Sequence, residues 1–428
     1  MLFPYRVIIV GAGLGGLALA HGLRGQGVDV AVYERDAHPD ARPQGYRIQL
    51  DEPGLTGLRR CLPAPLFRLC LATAGAPPAR VSVRNRRLEV LADRAAGGGS
   101  PETAGGSGAA GGSGGPGGAA GPYAFNRPTL RQIMLSGLTG HVHYGARLVD
   151  YRHEADGRVT ARFADGRSAT GDLLVGADGV HSAVRRLLLP GARVEDAGLR
   201  LVYGRIPLDA RSRAGLPDWV FESIFTVITG GPGHPHLGVG PVELGARPEH
   251  AGLAQRPPAA LSPVGDYLAC MVGAPADHPA MPAFEELREL TPAALRDLAL
   301  RVLGEDWHED VHRLLARWDT HSLFPLRIST ATPVPAWESG PVTLIGDAIH
   351  AMSPVLAMGA NTAVRDAGEL TRALGGAGDA PDPAGPLVAA VRAYEGRMRE
   401  YAFAIVADSR RTGQRRVGQR ERPRPLPR

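Results

Sequence analysis

The sequence contains no lysine, so all 48 residues of the Lys and Arg class are arginine. That absence excludes a Schiff-base lysine, a lysine general base and an active-site ammonium. Cysteine is scarce, with only Cys61, Cys70 and Cys270. An odd number without metal-ligand spacing argues against a disulfide framework and against a metal site. Free thiols fit a reducing compartment, so a cytoplasmic location is expected. Aromatic residues make up 5% of the chain, and no Arg-rich face interleaved with them occurs. Much of the +5 net charge falls between Arg410 and Arg428. A nucleic-acid partner is therefore not expected. Long apolar runs are missing as well. The charge-free stretch VIIVGAGLGGLALA, Val7 to Ala20, is too short and too glycine-rich to span a membrane. It also lacks the basic start and small-residue cleavage site of a secretion signal.

Glycine, alanine and arginine are what the sequence has in quantity. At 428 residues and 44% apolar content, the chain has the length for two lobes with buried cores. The stretch from Ala95 to Pro122 is roughly half glycine. It cannot bury enough apolar surface to offset its ordering entropy and is predicted to be a disordered loop.

Arg6–Val10 reads as a buried strand, Leu14–Arg24 as a helix and Val28–Tyr33 as a second strand. This is the start of a doubly wound α/β sheet. Between strand and helix, Gly11, Gly13 and Gly16 stand in G-x-G-x-x-G register, with Leu14 opening the helix. The first glycine permits the tight turn, the second admits a pyrophosphate, and the third lets helix and strand pack. The helix N-terminus offers free N–H groups to phosphate. Glu34 ends the second strand about twenty residues on, placed for a ribose diol, with Arg35 beside it. Together these predict a dinucleotide site. They do not distinguish NAD from FAD. Later segments, LRLVYGRIPL, ESIFTVITGG, PHLGVGPVEL and DYLACMVGAP between Leu199 and Pro275, predict a β-rich second lobe. Helices are predicted near Pro292–Leu303, Asp310–Ala316 and Pro386–Arg411, followed by a frayed Arg/Pro tail.

Two further stretches narrow the reading. GDLLVGADGVHSAVRRLL carries Asp178, Ser182 and Arg185. TLIGDAIHAMSPVLAMGANTAVRDAGEL carries Asp347, His350, Pro354, Gly359, Asn361 and Asp366. With GAGLGG before them and RPTLRQIM between the glycine motif and the first stretch, the chain resembles the single-component FAD-dependent aromatic hydroxylases, the group A flavoprotein monooxygenases. The resemblance runs from Arg6 to about Leu374 and is loosest in the β-rich lobe. It implies a Rossmann-like FAD-binding domain with an inserted β-rich substrate domain and a C-terminal helix. The FAD domain is expected at 1–80, 121–192 and 328–376. The substrate domain is expected at 81–94 and 193–327, the disordered loop at 95–120, the helical segment at 377–412 and a disordered tail at 413–428.

The resemblance also implies non-covalent FAD, NAD(P)H as a transient co-substrate, and molecular oxygen. The activity implied is hydroxylation or epoxidation of an aromatic or polycyclic molecule through a flavin C4a-hydroperoxide, by a monomer or homodimer. Arg127 matches the family arginine near the FAD phosphates, Arg42 is a second candidate there, and Asp178 matches a cofactor-linked aspartate. Asp347 is suited to hold cofactor hydroxyls. Pro354 opens a stiff turn, and Gly359, Ala360 and Asn361 open a helix whose N–H groups face developing negative charge on a reduced ring. His350 is a candidate base, the alternative being a packing role beside the loop. Arg47 in QGYRIQL is a candidate for the flavin or substrate face, the alternative being a surface strand arginine. Ala357 departs from the family pattern, which has glycine there; alanine is tolerated if φ is negative, and the path of the loop under the ring turns on it. A flavin-binding protein without turnover is the competing reading.

Overall fold

The computed structural model describes residues 5–41, 45–96, 122–254, 259–376, 384–421 and 424–425. The predicted loop at 95–120 lies almost wholly outside these residues, as does Arg42. Apolar β-branched runs make the first layer. Strand β1 (Arg6–Val10), helix α1 (Leu14–Gly25) and strand β2 (Asp29–Tyr33) form one βαβ unit. Its sheet has five parallel strands, in the order Val342–Leu344, Leu173–Gly176, β1, β2, Val142–His143. A parallel sheet is buried on both faces, and Val7, Ile8 and Ile9 are accordingly inaccessible. The α1 helix and the Gly359–Leu374 helix pack over one face, meeting where Gly15 leaves room for the Ala363 carbonyl.

The second layer is an eight-stranded mixed sheet. Seven of its strands run in the order Phe324–Ala331, Val194–Leu208, Asp266–Pro275, His236–Val242, Phe225–Thr229, Arg80–Asn85, Val90–Ala95. Alternation decides its two faces. Leu237, Val239, Leu268, Cys270 and Val272 point to a core closed by the Pro292–Leu303 and Glu309–Ala316 helices. Tyr203, Val242, Tyr267 and Ala269 point the other way, toward the first layer. Strand β3 (Arg47–Leu50) pairs with Tyr123–Asn126 and lies between the layers. Tyr46, just before it, meets Tyr203, Tyr267 and Phe324 edge-on at 5.8, 6.4 and 5.7 Å.

The tail differs from the sequence expectation. The last helix runs from Ala384 to Val417, and Gln419 is buried. The Arg420 N–H donates to the Ala197 carbonyl and the Thr229 hydroxyl to the Arg416 carbonyl. Charge density predicts fraying there, but the large sheet supplies apolar partners for Val417, which packs with Leu199 and Leu201.

Candidate functional site

The site grows from the C-terminal ends of the parallel strands, where open α/β sheets bind ligands. Gly11 has φ 111°, and a methyl there would lie 2.3 Å from the Ala177 carbonyl oxygen. At Gly16 it would lie 2.1 Å from the Gly11 carbonyl oxygen. At Gly13 it would meet nothing within 4 Å, so the turn is open on that side. Helix α1 starts there with no capping side chain and no acidic residue in its first turn. Its buried first residue is Leu14, and the first helical bond runs from Leu17 N–H to Gly13 O. The amides from Gly13 to Gly16 are thus available to an anion.

Glu34 closes this cradle. It is 6% exposed, and its carboxylate accepts from the Ala12 N–H at 2.7 Å and the Asp36 N–H at 3.0 Å. Two bonds leave further lone pairs for a diol. Arg35 is exposed on the rim. Arg127 is half-buried; its N–H donates to the Tyr46 carbonyl, and Nη1 passes Gly45, which has φ 84°. Arg131 escaped the sequence reading. From the next turn of the same helix it donates to the Ala12 carbonyl at 3.2 Å and the Pro39 carbonyl at 2.8 Å. Its i, i+4 spacing from Arg127 was the available signal.

Asp178 borders the glycine turn, but its side chain is occupied within the chain. It accepts from the Ser182 hydroxyl at 2.5 Å and the Ala183 N–H at 2.7 Å, at the start of the Ala183–Leu188 helix. Burial pushes its carboxyl up, against the pull of the Ser182, Val184 and Ala183 bonds. His181 in the same loop is pushed down by burial and by the charges of Arg35, Arg327, Arg185 and Arg186. That side of the site is strongly basic.

The second wall is the GDAIH segment and the turn after it. Gly346 has φ 62°. Asp347 is exposed, with Oδ1 3.9 Å from the position of a Gly359 methyl. Pro354 is exposed and opens the turn Pro354–Leu356. Gly359 and Ala360 are half-buried and begin the Gly359–Leu374 helix without a capping side chain or an acidic first turn.

One expectation is corrected here. His350 is 0% exposed, and its Nε2 lies 2.6 Å from Asp366 Oδ2. Burial pushes this imidazole down, but the Asp366 charge and hydrogen bond outweigh it and the net shift is upward. Asp366 also accepts from the Gly346 N–H and the Tyr401 hydroxyl. A side chain so enclosed anchors the segment and cannot serve as a base toward a ligand. Asn361, 1% exposed, turns its amide inward: it accepts from the Asp51 N–H at 2.9 Å and donates to the Gln49 carbonyl at 3.0 Å and the Ala357 carbonyl at 3.1 Å. Only its backbone N–H remains for a ligand. Ala357 has φ 55° and ψ 25°, left-handed rather than negative, because the turn must reverse before the helix starts.

Arg47 is no surface residue. Its Nη2 donates to the Ile224 carbonyl at 2.7 Å, and its guanidinium lies 5.5 Å from the Phe225 ring centroid.

The models of two families match the chain: an FAD binding domain over residues 297–380 and an NAD(P)-binding Rossmann-like domain over residues 9–52. The 3-amino-4-hydroxybenzoate 2-monooxygenase PtnB3 of Streptomyces platensis is 30% identical over 384 residues, 89% of this chain and 82% of that protein. The dual O-methyltransferase/FAD-dependent monooxygenase CTB3 of Cercospora beticola is 30% identical over 426 residues, 97% of this chain and 46% of that protein. The chain spans about half the length of that relative and of two similar fungal ones. Among solved structures, a Photorhabdus luminescens protein assigned as an FAD containing monooxygenase superposes with a TM-score of 0.76 at 29% identity, over 96% of this chain and 98% of its own.

Proposed function

The chain belongs to the FAD-dependent monooxygenases of the group A aromatic-hydroxylase type, and we propose that it inserts one oxygen atom of O2 into an aromatic or polycyclic small molecule at the expense of NAD(P)H. One observation carries the reading. Two helices with bare N-termini, at Leu14 and Gly359, touch at Gly15 and Ala363 beside an open glycine turn. Two uncapped helix ends in one groove suit a ligand with separated sites of negative charge.

FAD fits this groove. Gly13 and the first turn of α1 would receive the pyrophosphate, Glu34 the ribose hydroxyls, and Asp347 hydroxyls further along. Gly359, Ala360 and the Asn361 N–H would face the ring edge that becomes negative on reduction. When bound, FAD supplies two-electron redox chemistry and oxygen activation. The chain's own tasks are to position the cofactor and substrate, to stabilise charge and to exclude water from the reacting ring. The basic rim at Arg35, Arg186 and Arg327 around His181 would steer the phosphates of NAD(P)H to the mouth. The test is anaerobic addition of NADPH or NADH to the FAD-loaded protein in the presence of aromatic compounds. Bleaching of the flavin absorbance accelerated by such a compound is the expected result. A chain that takes up no FAD, or whose bound FAD neither nicotinamide reduces with any aromatic present, overturns it.

A further inference from the structure

A cleft of about 700 Å³ lies where three helices of the first layer end: α1, the Glu52–Cys61 helix and the Gly359–Leu374 helix. We infer that it binds a hydroxylated organic phosphate, of which a sugar phosphate is the simplest form. It is separate from the cofactor groove. That groove takes the N-termini of α1 and the Gly359–Leu374 helix, whereas the cleft takes their C-termini, about 18 and 24 Å further along the two axes at 1.5 Å per residue.

Each helix brings an arginine from its last turn to the cleft: Arg24, Arg60 and Arg372. A cation there suits the helix dipole, but the pairing leaves charge over. Glu369 accepts from Arg60 at 2.9 Å, from Arg372 at 2.7 Å and from Arg397 at 3.2 Å. One carboxylate thus answers three guanidiniums. Arg24 donates to the Gly137 carbonyl at 2.6 Å and is paired with no carboxylate among the described residues. Arg60 and Arg372 are exposed and keep further N–H donors. Planar forks of this kind take phosphate oxygens in pairs.

The floor has the opposite chemistry. His21 is buried, and its Nε2 lies 2.8 Å from the Met134 carbonyl oxygen, so that nitrogen carries the proton. Burial pushes the imidazole down, against the Met134 bond and with the help of the Arg24 charge, and the ring stays neutral. Its Nδ1 is then an acceptor. Gln26 donates from Nε2 to the Thr371 carbonyl at 3.1 Å, while its Oε1 is buried without a partner. The last carbonyls of a helix are acceptors as well. Leu62 and Pro63 supply an apolar edge. Guanidiniums at the rim and acceptors beneath match a ligand with a phosphate at one end and hydroxyl donors at the other. Inorganic phosphate satisfies the rim alone, and a neutral sugar satisfies the floor alone.

The experiment is isothermal titration calorimetry of the full chain saturated with FAD, using ribose 5-phosphate, inorganic phosphate and ribose. Ribose 5-phosphate is expected to bind roughly 10-fold more tightly than inorganic phosphate, and ribose to give no measurable heat. Arg60→Gln combined with Arg372→Gln is expected to weaken both phosphates roughly 10- to 100-fold. Gln26→Leu is expected to lower the preference for the sugar phosphate while inorganic phosphate binds as before. Arg35→Gln with Arg186→Gln, at the mouth of the cofactor groove, is expected to change neither. The thermal midpoint and the dissociation constant for FAD report the folding of each variant. No heat from either phosphate, binding that survives the Arg60 and Arg372 changes, or binding lost with Arg35 and Arg186 overturns the site. Equal binding of ribose 5-phosphate and inorganic phosphate overturns the ligand class. A chain that takes no FAD overturns the monooxygenase reading but not this one, since the Arg60 and Arg372 variant still separates the cleft from the glycine turn.

Discussion

Ala357 sits at φ 55°, where an L side chain crowds its own backbone. The strain is about 1–2 kcal/mol. Glycine removes it but loses roughly 0.5–1 kcal/mol more conformational entropy on folding. The first effect wins, so Ala357→Gly is expected to raise stability by about 0.5–1 kcal/mol, read from the urea midpoint. An unchanged or lower midpoint would show that the turn relaxes around alanine. At His350 the sign follows from its raised folded-state pKa. Protonation is favoured in the folded chain, so the stabilisation is fully present below the ordinary value near 6.5 and fades as pH climbs through the raised value. Asp366 and Asp347 supply the favouring charges. The stability gap between wild type and His350→Gln is therefore expected to narrow as pH rises above about 6.5 and through the raised value. A gap that widens with pH would place the proton elsewhere.

Among the elements, the Ala384–Val417 helix does more than close the chain. Its Tyr394 hydroxyl donates to the Leu344 carbonyl, its Tyr401 hydroxyl to Asp366, and its Ser409 hydroxyl to the Ser353 carbonyl. One helix thus braces the last parallel strand, the His350 anchor and the start of the Pro354 turn. Its final turn then docks on the large sheet through Val417 and the Thr229 bond. Ending the chain at Thr412 removes that docking. The expected loss is about 2–4 kcal/mol, from one buried Val and several buried hydrogen bonds. Urea unfolding of the shortened chain checks this, and wild-type stability would mean that the docking contributes nothing.

At the scale of the whole molecule, the two layers meet through Tyr46. Its ring is surrounded by Tyr203, Tyr267 and Phe324, and Arg205 lies 5.2 Å from its centroid. Its hydroxyl donates to the Ser322 carbonyl at 2.6 Å, and its own carbonyl accepts from the Tyr267 hydroxyl at 2.8 Å. Tyr46→Ala is expected to cost about 2–3 kcal/mol, below a fully buried aromatic because the residue is half-buried. Because the loss falls on the interface, flavin release and far-UV circular dichroism should separate into two unfolding transitions. Coincident transitions would mean that other contacts couple the layers.

Much was legible in the linear sequence because its causes are local. The glycine spacing, the apolar runs of β1 and β2 and the helical period of Pro292–Leu303 depend on residues within a turn or two of one another. The motifs that carry the family resemblance are equally compact. What the sequence could not express is direction. Asn361 and His350 stand in the motif but turn inward, because Gln49, Asp51 and Asp366 meet them only after folding. The tail reads as frayed because its apolar partners, Leu199 and Leu201, lie some two hundred residues away. Arg47 found its neighbours, Gly240 and the Phe225 ring, only once the sheet came opposite a strand from the other layer. Local chemistry determined which elements this chain would build and that they would cradle a dinucleotide. Long-range packing decided which side chains the site retains for a ligand, since burial satisfies some polar groups within the chain and leaves others open.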